Sequence, residues 1–401
     1  GASRSSWTHA IPFFIFCSVC ATRRTASPSP ATVPGAARSF GSRVLLITGA
    51  RSFHASVHAE KLQQDFRSVL LTVENYRIIS EPSPHVIDEA VQAFSEYAPD
   101  CVIAIGGGSA LDAGKAISAM LPLRSPVKEY LEGVGTNRVH PGVKVPFIAV
   151  PTTSGTGSEA TKNAVISEIG EAGYKRSLRH TNFVPNLAIV DPLLTVDCPR
   201  ETTASSGMDA FTQLMESFLS TDANRLTDTL AIEGLTLVSR SLLRTYHQGS
   251  DIGARTDIAL AAYLSGITLA NAGLGLIHGM ASPLGGYFDI PHGVICSRLM
   301  GPANNITARK LRLQKKDPEA LKKMAQAGRI FSATENNSDD YYIDALLSAI
   351  DLWTNELSIP SLSHYGVRSA LFDKIVKGTG NKNNPVALER DEMMEILELS
   401  L

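Results

Sequence analysis

Residues 101–120 read CVIAIGGGSALDAGKAISAM, an apolar run that meets three consecutive glycines and continues into a segment of helical character. A short, continuously apolar run is typical of a strand that is buried on both faces of a sheet. Glycines in the turn that follows let a ligand approach the backbone, and a helix N-terminus presents unpaired N–H groups. The stretch therefore predicts a strand–turn–helix unit. Its turn either holds a phosphate or is a tight turn that binds nothing, and these residues alone favour neither interpretation.

The same alternation of apolar runs and amphipathic stretches extends on both sides of this unit. It begins at residue 43 with RVLLIT, HAEKLQQDFRSVL, YRIIS and PHVIDEAVQAFSEYA, and it continues with VPFIAV, NAVIS and NLAIV to about residue 191. Strands separated by helices predict a parallel sheet covered on both faces. We therefore expect an α/β domain over residues 41–196.

The rest of the chain shows helical periodicity instead, as in RLTDTLAIEGLTLVSRSLLRTY and PEALKKMAQAGRIF. This pattern predicts an all-α C-terminal domain over residues 197–401. With 401 residues, the chain is long enough to bury two such cores. We interpret residues 1–40 as an N-terminal tail or targeting segment.

Composition limits the classes of partner. The 37 basic and 39 acidic residues give a net charge of −2, and no basic face stands out, so we expect no nucleic acid partner. The longest apolar run near the start, AIPFFIFCSVCA, is about half of the ~20 residues that a membrane span needs, which predicts no membrane partner. The cysteines at positions 17, 20, 101, 198 and 296 are too few and too scattered for a disulfide framework, and we expect free thiols.

The first 59 residues contain no Asp or Glu but several Arg and many Ser, Thr, Ala and Pro. This is the composition of an organellar transit segment, although the short apolar run followed by SVCAT also resembles a secretory signal. We expect an intracellular protein, mitochondrial if the segment directs import and cytoplasmic otherwise.

The glycine turn does not fit two other motifs. A Walker loop requires Gly where Ser109 stands and Ser or Thr where Ala116 stands, so nucleoside triphosphate chemistry is disfavoured. A serine nucleophile elbow requires a second Gly where Leu111 stands.

A second loop, VPTTSGTGSEAT at residues 150–161, is rich in hydroxyl groups and glycines. Such a loop either donates hydrogen bonds to a ribose or phosphate, or satisfies only its own backbone. Two such loops that follow two parallel strands favour a ligand site, because open α/β sheets bind ligands at the carboxyl ends of their strands.

The helical half contains a candidate metal site. In SGMDAFTQLMESFLS, at residues 206–220, Asp209 and Gln213 are four residues apart and therefore share one face of a helix. His278 and His292 follow in GLIHGMASPLGGYFDIPHG, where glycines could bend both imidazoles towards one point. Imidazole and carboxylate suit zinc or ferrous iron. Taken singly, however, an Asp near a helix start is usually a cap and a lone His is usually a structural hydrogen-bonding group.

Taken together, the blocks GGGSALDAGKA, PTTSGTGSEAT, VDPLLT with SGMDAFTQLMES, and HGMASPLGGYFDIPHG resemble the iron-containing alcohol dehydrogenases, a family related to the glycerol dehydrogenases. The resemblance runs from about residue 43 to the C-terminus. It implies a dinucleotide-binding N-terminal domain, a helical metal and substrate domain, and an active site between them. It also implies hydride transfer between NAD(P) and a small alcohol or carbonyl substrate, a divalent metal (Fe²⁺ or Zn²⁺), and a homodimer.

The resemblance also assigns roles to particular residues. Four residues of the glycine turn would hold the pyrophosphate, with one acidic residue in the same block: Gly106, Gly107, Gly108, Ser109 and Asp112. Three hydroxyl residues would line the adenosine and ribose side, and a lysine would approach the nicotinamide ribose: Thr152, Thr153, Thr156 and Lys175. The catalytic metal would be held by Asp209, His278 and His292, with Gln213 as a weak fourth ligand or as a residue that orients another ligand.

Two substitutions depart from the family pattern. Family members with iron usually have His where Gln213 and Ser282 stand. A neutral amide oxygen is a poorer metal ligand than imidazole. The resemblance to the glycerol dehydrogenase branch, by contrast, implies a zinc site that needs only three ligands. The alternatives are a metal-independent reductase similar to the maleylacetate reductases, and a nucleotide-binding scaffold without catalysis.

Two further departures lie near the start of the chain. The segment RSFGSRVLLITG is too short to contain the family's opening strand and first helix before RVLLIT, so we expect a trimmed N-terminal domain. After RVLLIT stand Gly49, Ala50 and Arg51, where many NAD-preferring relatives have an acidic residue. Because no carboxylate repels a 2′-phosphate there, we predict that NADPH can be used.

Overall fold

The computed structural model describes residues 14–17, 32–50, 52–314 and 317–401. Arg51 and most of the segment interpreted as a targeting sequence lie outside these residues. Among the described residues, no single helix is both long and apolar enough to cross a bilayer. Only two consecutive helices, Ile252–Ala272 and Leu276–Tyr287, meet that test jointly, and they are bent by 101°.

The N-terminal half is built on strands that follow the predicted alternation. The strands are β1 (Phe14–Cys17), β2 (Arg43–Gly49), β3 (Thr72–Ile78), β4 (Cys101–Gly106), β5 (Phe147–Pro151), β6 (Asn163–Glu168), β7 (Tyr174–Arg179) and β8 (Leu187–Val190). Six of them form a parallel sheet in the order β1-β8-β5-β4-β2-β3. The predicted parallel sheet is confirmed.

Helices cover both faces of this sheet. They are α1 (Thr32–Arg38), α2 (Ser52–Ala55), α3 (Val57–Ser68), α4 (Pro84–Phe94) and α5 (Gly108–Met120). Alternate residues of β2 enter opposite cores: Leu45 packs with α4 and α5, whereas Leu46 packs with α1 and α3. A strand with cores on both sides must be apolar throughout, which explains the continuous run VLLI.

The segment NAVIS does not extend the parallel sheet as predicted. It forms β6, which pairs antiparallel with β7 in a separate two-stranded ribbon. Only residues 169–173 connect the two strands, and a parallel crossover requires a dozen or more residues. The polar segment YKRSLR, which forms β7, was not predicted as a strand.

The start of the chain also differs from expectation. β1 pairs parallel with β8, with Phe14 opposite Leu187, and α1 places Val33 and Ala37 in the core beneath the sheet. The opening strand and helix that we expected to be missing thus stand further upstream, within residues 1–40. That segment therefore contributes to the α/β architecture.

The C-terminal half is helical, as predicted. Its helices are α6 (Arg200–Leu219), α7 (Arg225–His247), α8 (Ile252–Ala272), α9 (Leu276–Tyr287), α10 (His292–Gln314), α11 (Pro318–Phe331), α12 (Asp339–Glu356), α13 (Phe372–Lys377) and α14 (Arg390–Ser400). One continuous apolar core joins them, and α6 lies at its centre with a largely buried C-terminal part. The helix that carries Asp209 and Gln213 is therefore held rigidly on several sides.

Candidate active site

The glycine turn and the hydroxyl-rich loop lie against each other at the carboxyl ends of β4 and β5. The backbone N–H of Thr152 donates to the carbonyl of Gly106 at 2.9 Å. A Cβ on Gly107 would lie 3.3 Å from Thr153, and a Cβ on Gly108 would lie 2.6 Å from Cγ2 of Thr156. Glycine is required at position 108 because the loop occupies the space of a side chain. The two predicted phosphate and ribose segments thus form one surface.

The N-terminus of α5 faces this surface. Gly107 is the N-cap residue and provides no capping side chain. A helix start of this kind attracts anions through its backbone N–H groups and its dipole. The local structure therefore fits a pyrophosphate, as predicted for Gly106 to Ser109.

Two charged residues of α5 fix the hydroxyl-rich loop from beneath. Asp112 accepts hydrogen bonds from Ser158 Oγ at 2.5 Å and from the N–H of Val165 at 3.1 Å. Lys115 is fully buried, and its Nζ lies 2.7–2.9 Å from the carbonyl oxygens of Ser158, Thr161 and Asn163. Both side chains contact protein, so their placement supports a role in shaping the loop.

Lys175 is linked to the glycine turn through a residue that the sequence did not single out. Its Nζ lies 3.0 Å from Oε2 of Glu81, and Oε1 of Glu81 accepts from Ser109 Oγ at 2.8 Å. The carboxylate thus spans the pyrophosphate turn and the lysine predicted to meet the nicotinamide ribose. The positive charge of Lys175 and the Ser109 hydrogen bond outweigh burial and lower the pKa of Glu81.

Three predicted metal ligands converge in the helical half, together with a thiol. Asp209 Oδ1 lies 3.5 Å from Nε2 of His278 and 3.8 Å from Nε2 of His292. Sγ of Cys296 lies 3.6 Å from each of the same two nitrogens. One ligand atom from each of the four residues lies within 4.8 Å of every other. They surround one point, as the ligands of a four-coordinate cation do.

The donor atoms of this cluster fit a cation. Asp209 Oδ1 is buried and has no hydrogen-bond partner, which is costly for a carboxylate oxygen unless a positive charge compensates it. His278 Nδ1 lies 2.6 Å from Oε2 of Glu216, so that the lone pair of Nε2 is directed at the cluster. Oε1 of the same carboxylate accepts from the N–H of Ile277 at 2.6 Å.

Gln213 lies beside the cluster and contacts Asp209. Its Nε2 donates to Oδ2 of Asp209 at 3.1 Å, and its Oε1 lies 2.7 Å from the hydroxyl of Ser265. Both polar atoms of the Gln213 amide are therefore hydrogen-bonded, and neither is bonded to Oδ1 of Asp209. Of the two roles predicted for Gln213, this geometry favours that of a residue that orients Asp209.

The electrostatics of the cluster depend on burial and on its own charges. Burial lowers the pKa of His292 to about 4, which keeps its imidazole neutral. Burial also raises the pKa of the Cys296 thiol to about 12. At His278, burial is outweighed by the interactions with Cys296, with the negative charge of Glu216 and with the hydrogen-bonded carboxylate of Asp209, and the pKa is raised. A thiolate at this position thus requires a neighbouring cation.

Both histidines lie on helices, in a segment where we expected glycines to bend the backbone. His278 is in the first turn of α9, and His292 begins α10 after a short connection over residues 288–291. Pro283 inside α9 did not prevent the helix. The helical setting explains the place of Cys296, because a residue four positions after His292 lies on the same face. Glu216 follows the same spacing rule on α6, seven positions after Asp209, so both signals were present in the sequence.

Known proteins match this chain along most of its length. Residues 28–192 match the family described as iron-containing alcohol dehydrogenase, and residues 203–401 match the C-terminal part of the same family. Alcohol dehydrogenase 4 of Saccharomyces cerevisiae (strain YJM789) is 30% identical over 326 residues, which cover 80% of this chain and 81% of that protein. Alcohol dehydrogenase 4 of Schizosaccharomyces pombe is 32% identical over 328 residues, covering 80% and 74%. The crystal structure of 1,3-propanediol oxidoreductase superposes with a TM-score of 0.84 at 26% identity, covering 97% of this chain and 98% of that one.

A parallel-sheet domain with a glycine turn that fits a pyrophosphate, together with a buried carboxylate–imidazole cluster that fits a cation, is the arrangement expected of a metal-dependent, dinucleotide-linked oxidoreductase. The matches over both halves then specify which one. The chain belongs to the iron-containing alcohol dehydrogenase family. It is an NAD(P)-linked enzyme with a divalent metal that interconverts an alcohol and an aldehyde or ketone by hydride transfer.

Proposed function

We propose that Asp209, His278, His292 and Cys296 hold the catalytic metal of this alcohol dehydrogenase, and that Gln213 orients Asp209. The observation that carries this proposal is the unpartnered Oδ1 of Asp209, which faces two imidazole nitrogens at 3.5 and 3.8 Å. A thiolate in place of a third imidazole favours zinc, although Fe²⁺ also binds such donors.

These four residues would hold a divalent cation that would supply Lewis-acid polarisation of a carbonyl or alcohol oxygen, and a bound nicotinamide would carry the hydride. The residues of the chain supply alignment. Glu216 fixes the tautomer of His278, and Glu81 fixes Lys175. Ser282, which replaces the family's second histidine, donates to the carbonyl oxygen of Lys175 at 3.0 Å and thereby joins α9 to β7. Its hydroxyl is thus engaged in fixing the ribbon.

The experiment is elemental analysis of the purified protein combined with an NAD(P)H oxidation assay on short aldehydes, before and after chelation. We expect bound metal and turnover that chelation abolishes. Turnover that survives chelation would indicate a metal-independent reductase, and dinucleotide binding without turnover would indicate a scaffold; either result contradicts the proposal.

For the dinucleotide, we propose that Gly106 to Ser109 bind the pyrophosphate, that Thr152, Thr153 and Thr156 line the adenosine and ribose side, and that Lys175 meets the nicotinamide ribose. Asp112 acts through the loop that it holds. Residues 41–196, to which β1 and α1 add a strand and a helix, would form the dinucleotide domain, and residues 197–401 would form the metal and substrate domain. The hydrogen bonds that link Ser109, Glu81 and Lys175 support this arrangement.

NADPH use remains part of the proposal, because β2 ends at Gly49 without a carboxylate and Ala50 follows. Rates with NADH and NADPH at equal concentration test it, and a strong preference for NADH would contradict it.

The oligomeric state and the cellular location of the protein are also proposals. The family resemblance supports a homodimer, and light scattering that finds only monomer would contradict it. The acid-free composition of residues 1–59 supports mitochondrial import. Fusion of this segment to a fluorescent protein tests it, and a diffuse cytoplasmic signal would contradict it.

A further inference from the structure

A lysine stands beside the metal cluster in a loop that the assigned function does not use. Lys382 lies in the loop between α13 and α14, and its Nζ donates to the carbonyl oxygen of His278 at 3.1 Å. The loop packs directly on α9, since a Cβ on Gly279 would lie 2.0 Å from the carbonyl oxygen of Gly380. Lys382 is thus carried to the wall of the active site by a close backbone contact.

The backbone at Lys382 is strained, and its neighbours hold it there. Its φ is +47°, in the left-handed region that disfavours residues with a Cβ. Asn381 is fixed by hydrogen bonds in both directions with Leu388, and the N–H of Asn383 donates to the carbonyl of Leu274 at 3.1 Å. Strain maintained in this way is typical of functional positions.

The ammonium of Lys382 lacks a counter-ion of its own. Among the residues that the structure describes, it has one hydrogen-bond acceptor, the carbonyl of His278, and no carboxylate within ion-pair distance. Glu216, the carboxylate whose charge acts on Lys382, is already engaged by His278 and Ile277. An ammonium has three donors, so two N–H groups remain for a ligand.

Lys382 is accessible, and its surroundings are positively charged. The residue is exposed to solvent, yet burial among protein atoms is the main cause of its lowered pKa, and the charges of Arg179 and Arg176 add to the effect. Arg179 pairs with Glu132, whereas Arg176 is exposed and has no ion pair within the described part of the chain. Positive charge close to a cation site is unfavourable unless an anion joins it.

We propose that the substrate is an aldehyde or ketone that also carries a carboxylate, and that Lys382 binds this carboxylate while the carbonyl faces Asp209, His278 and His292. The proposal rests on the proposed function, since it adds a substrate class to the same site. A carboxylate accepts two donors, which matches the two free N–H groups of Lys382. Arg176 attracts the anion towards the opening without contacting it.

The test compares two aldehydes of equal chain length, 4-oxobutanoate and butanal, with the metal-loaded enzyme and saturating NAD(P)H. We expect the wild type to have the higher kcat/KM with 4-oxobutanoate. Lys382→Gly removes the charge and suits the positive φ, so it should fold at least as well as the wild type. It should reduce the ratio of the two kcat/KM values by about 10- to 100-fold, mainly through KM for the acid, as expected for loss of a charged hydrogen bond.

Lys382→Arg should restore part of the ratio of the two kcat/KM values. Lys377→Met changes an exposed lysine on α13 and should leave this ratio at the wild-type value. The proposal is overturned if the wild type prefers butanal, or if Lys382→Gly lowers both rates equally.

A binding measurement separates this proposal from the proposed function. Calorimetric titration of the metal-loaded, NAD(P)⁺-bound enzyme with 4-hydroxybutanoate should give binding that Lys382→Gly weakens by at least about tenfold. If neither aldehyde turns over but this binding is present and depends on Lys382, the proposed chemistry fails and the carboxylate site stands. If 4-hydroxybutanoate binds equally well to both proteins, or to neither, the carboxylate site is refuted whatever the turnover.

Discussion

Cys296 stands one helical turn after His292, so its thiol and that imidazole face the same point. We predict that Cys296→Ala lowers zinc affinity by at least about tenfold, because the replacement removes one of four donors. Metal content after dialysis against a graded chelator measures this effect. A Co²⁺-substituted wild type should also show thiolate charge-transfer absorption in the near ultraviolet, and the variant should lack it. Equal zinc affinity in both proteins, with no difference between their spectra, would show that Cys296 is a core residue and not a metal ligand.

Glu159 is buried, and burial raises its pKa from 4.5 to about 7. Because the folded state holds this proton more tightly than the unfolded state, the group contributes stability below pH 4.5. That stability is lost as the pH rises to about 7. We predict that Glu159→Gln abolishes this pH-dependent decrease in the free energy of unfolding, which amounts to at most about 3 kcal/mol. Urea unfolding of both proteins at pH 5 and pH 8 measures it, with Glu168→Gln, at the exposed end of β6, as control. An equal pH dependence in wild type and Glu159→Gln would disprove it.

At the scale of elements, the proposed dinucleotide site depends on the contact of the glycine turn with the hydroxyl-rich loop. A Cβ at position 108 would lie 2.6 Å from Cγ2 of Thr156, so Gly108→Ala must push the two segments apart. We predict that NAD(P)H affinity falls by about tenfold or more, measured by fluorescence titration. Thr156→Ser in the same protein removes the opposing methyl and should recover part of the loss. Gly35→Ala, where nothing stands within 4 Å, is the matched control.

The same loop is tied to α5 by the buried ammonium of Lys115. Lys115→Met leaves three buried carbonyl oxygens without this donor and Asp112 without a neighbouring positive charge. We predict a loss of about 3–5 kcal/mol in the free energy of unfolding, together with weaker NAD(P)H binding. Denaturant titration with and without NAD(P)H checks both effects. A variant as stable as the wild type would show that the loop keeps its shape without Lys115.

The elements also show how far the sequence could be interpreted. The parallel strands were predictable because a strand between two cores must be apolar throughout, as in β2 and β4. The ribbon was not, because NAVIS has the same composition as a sheet strand and only the short link to β7 decides its pairing. Domain boundaries at residues 40 and 196 stay predictions.

Within the site, Asp209, His278 and His292 could be named because they stand in family motifs, and Cys296 follows from helical spacing. Glu81 and Lys382 could not, since their partners lie 94 and 104 residues away along the chain and no periodicity links such pairs.

At the scale of the whole molecule, the two halves meet backbone to backbone. A Cβ on Gly266 of α8 would lie 2.4 Å from the carbonyl oxygen of Gly157 in the hydroxyl-rich loop. We predict that Gly266→Val separates the dinucleotide surface from the metal cluster and lowers kcat by about tenfold or more, since small misplacements of reacting groups are costly. Metal content and NAD(P)H affinity should change little. Gly253→Ala, in the first turn of the same helix, is the control, and an unchanged kcat in Gly266→Val would contradict the prediction.

The ribbon of β6 and β7 has a consequence for how relatives of this chain diverge. It carries Lys175 and Arg176 on a strand outside the main sheet. Mutation can therefore alter the length and charge of the ribbon outside Lys175 without shifting the register of the sheet that carries the glycine turn. Among homologues, new substrate preferences should accordingly accumulate in this ribbon and in the loop of Lys382, and drift in the six-stranded sheet should be slow.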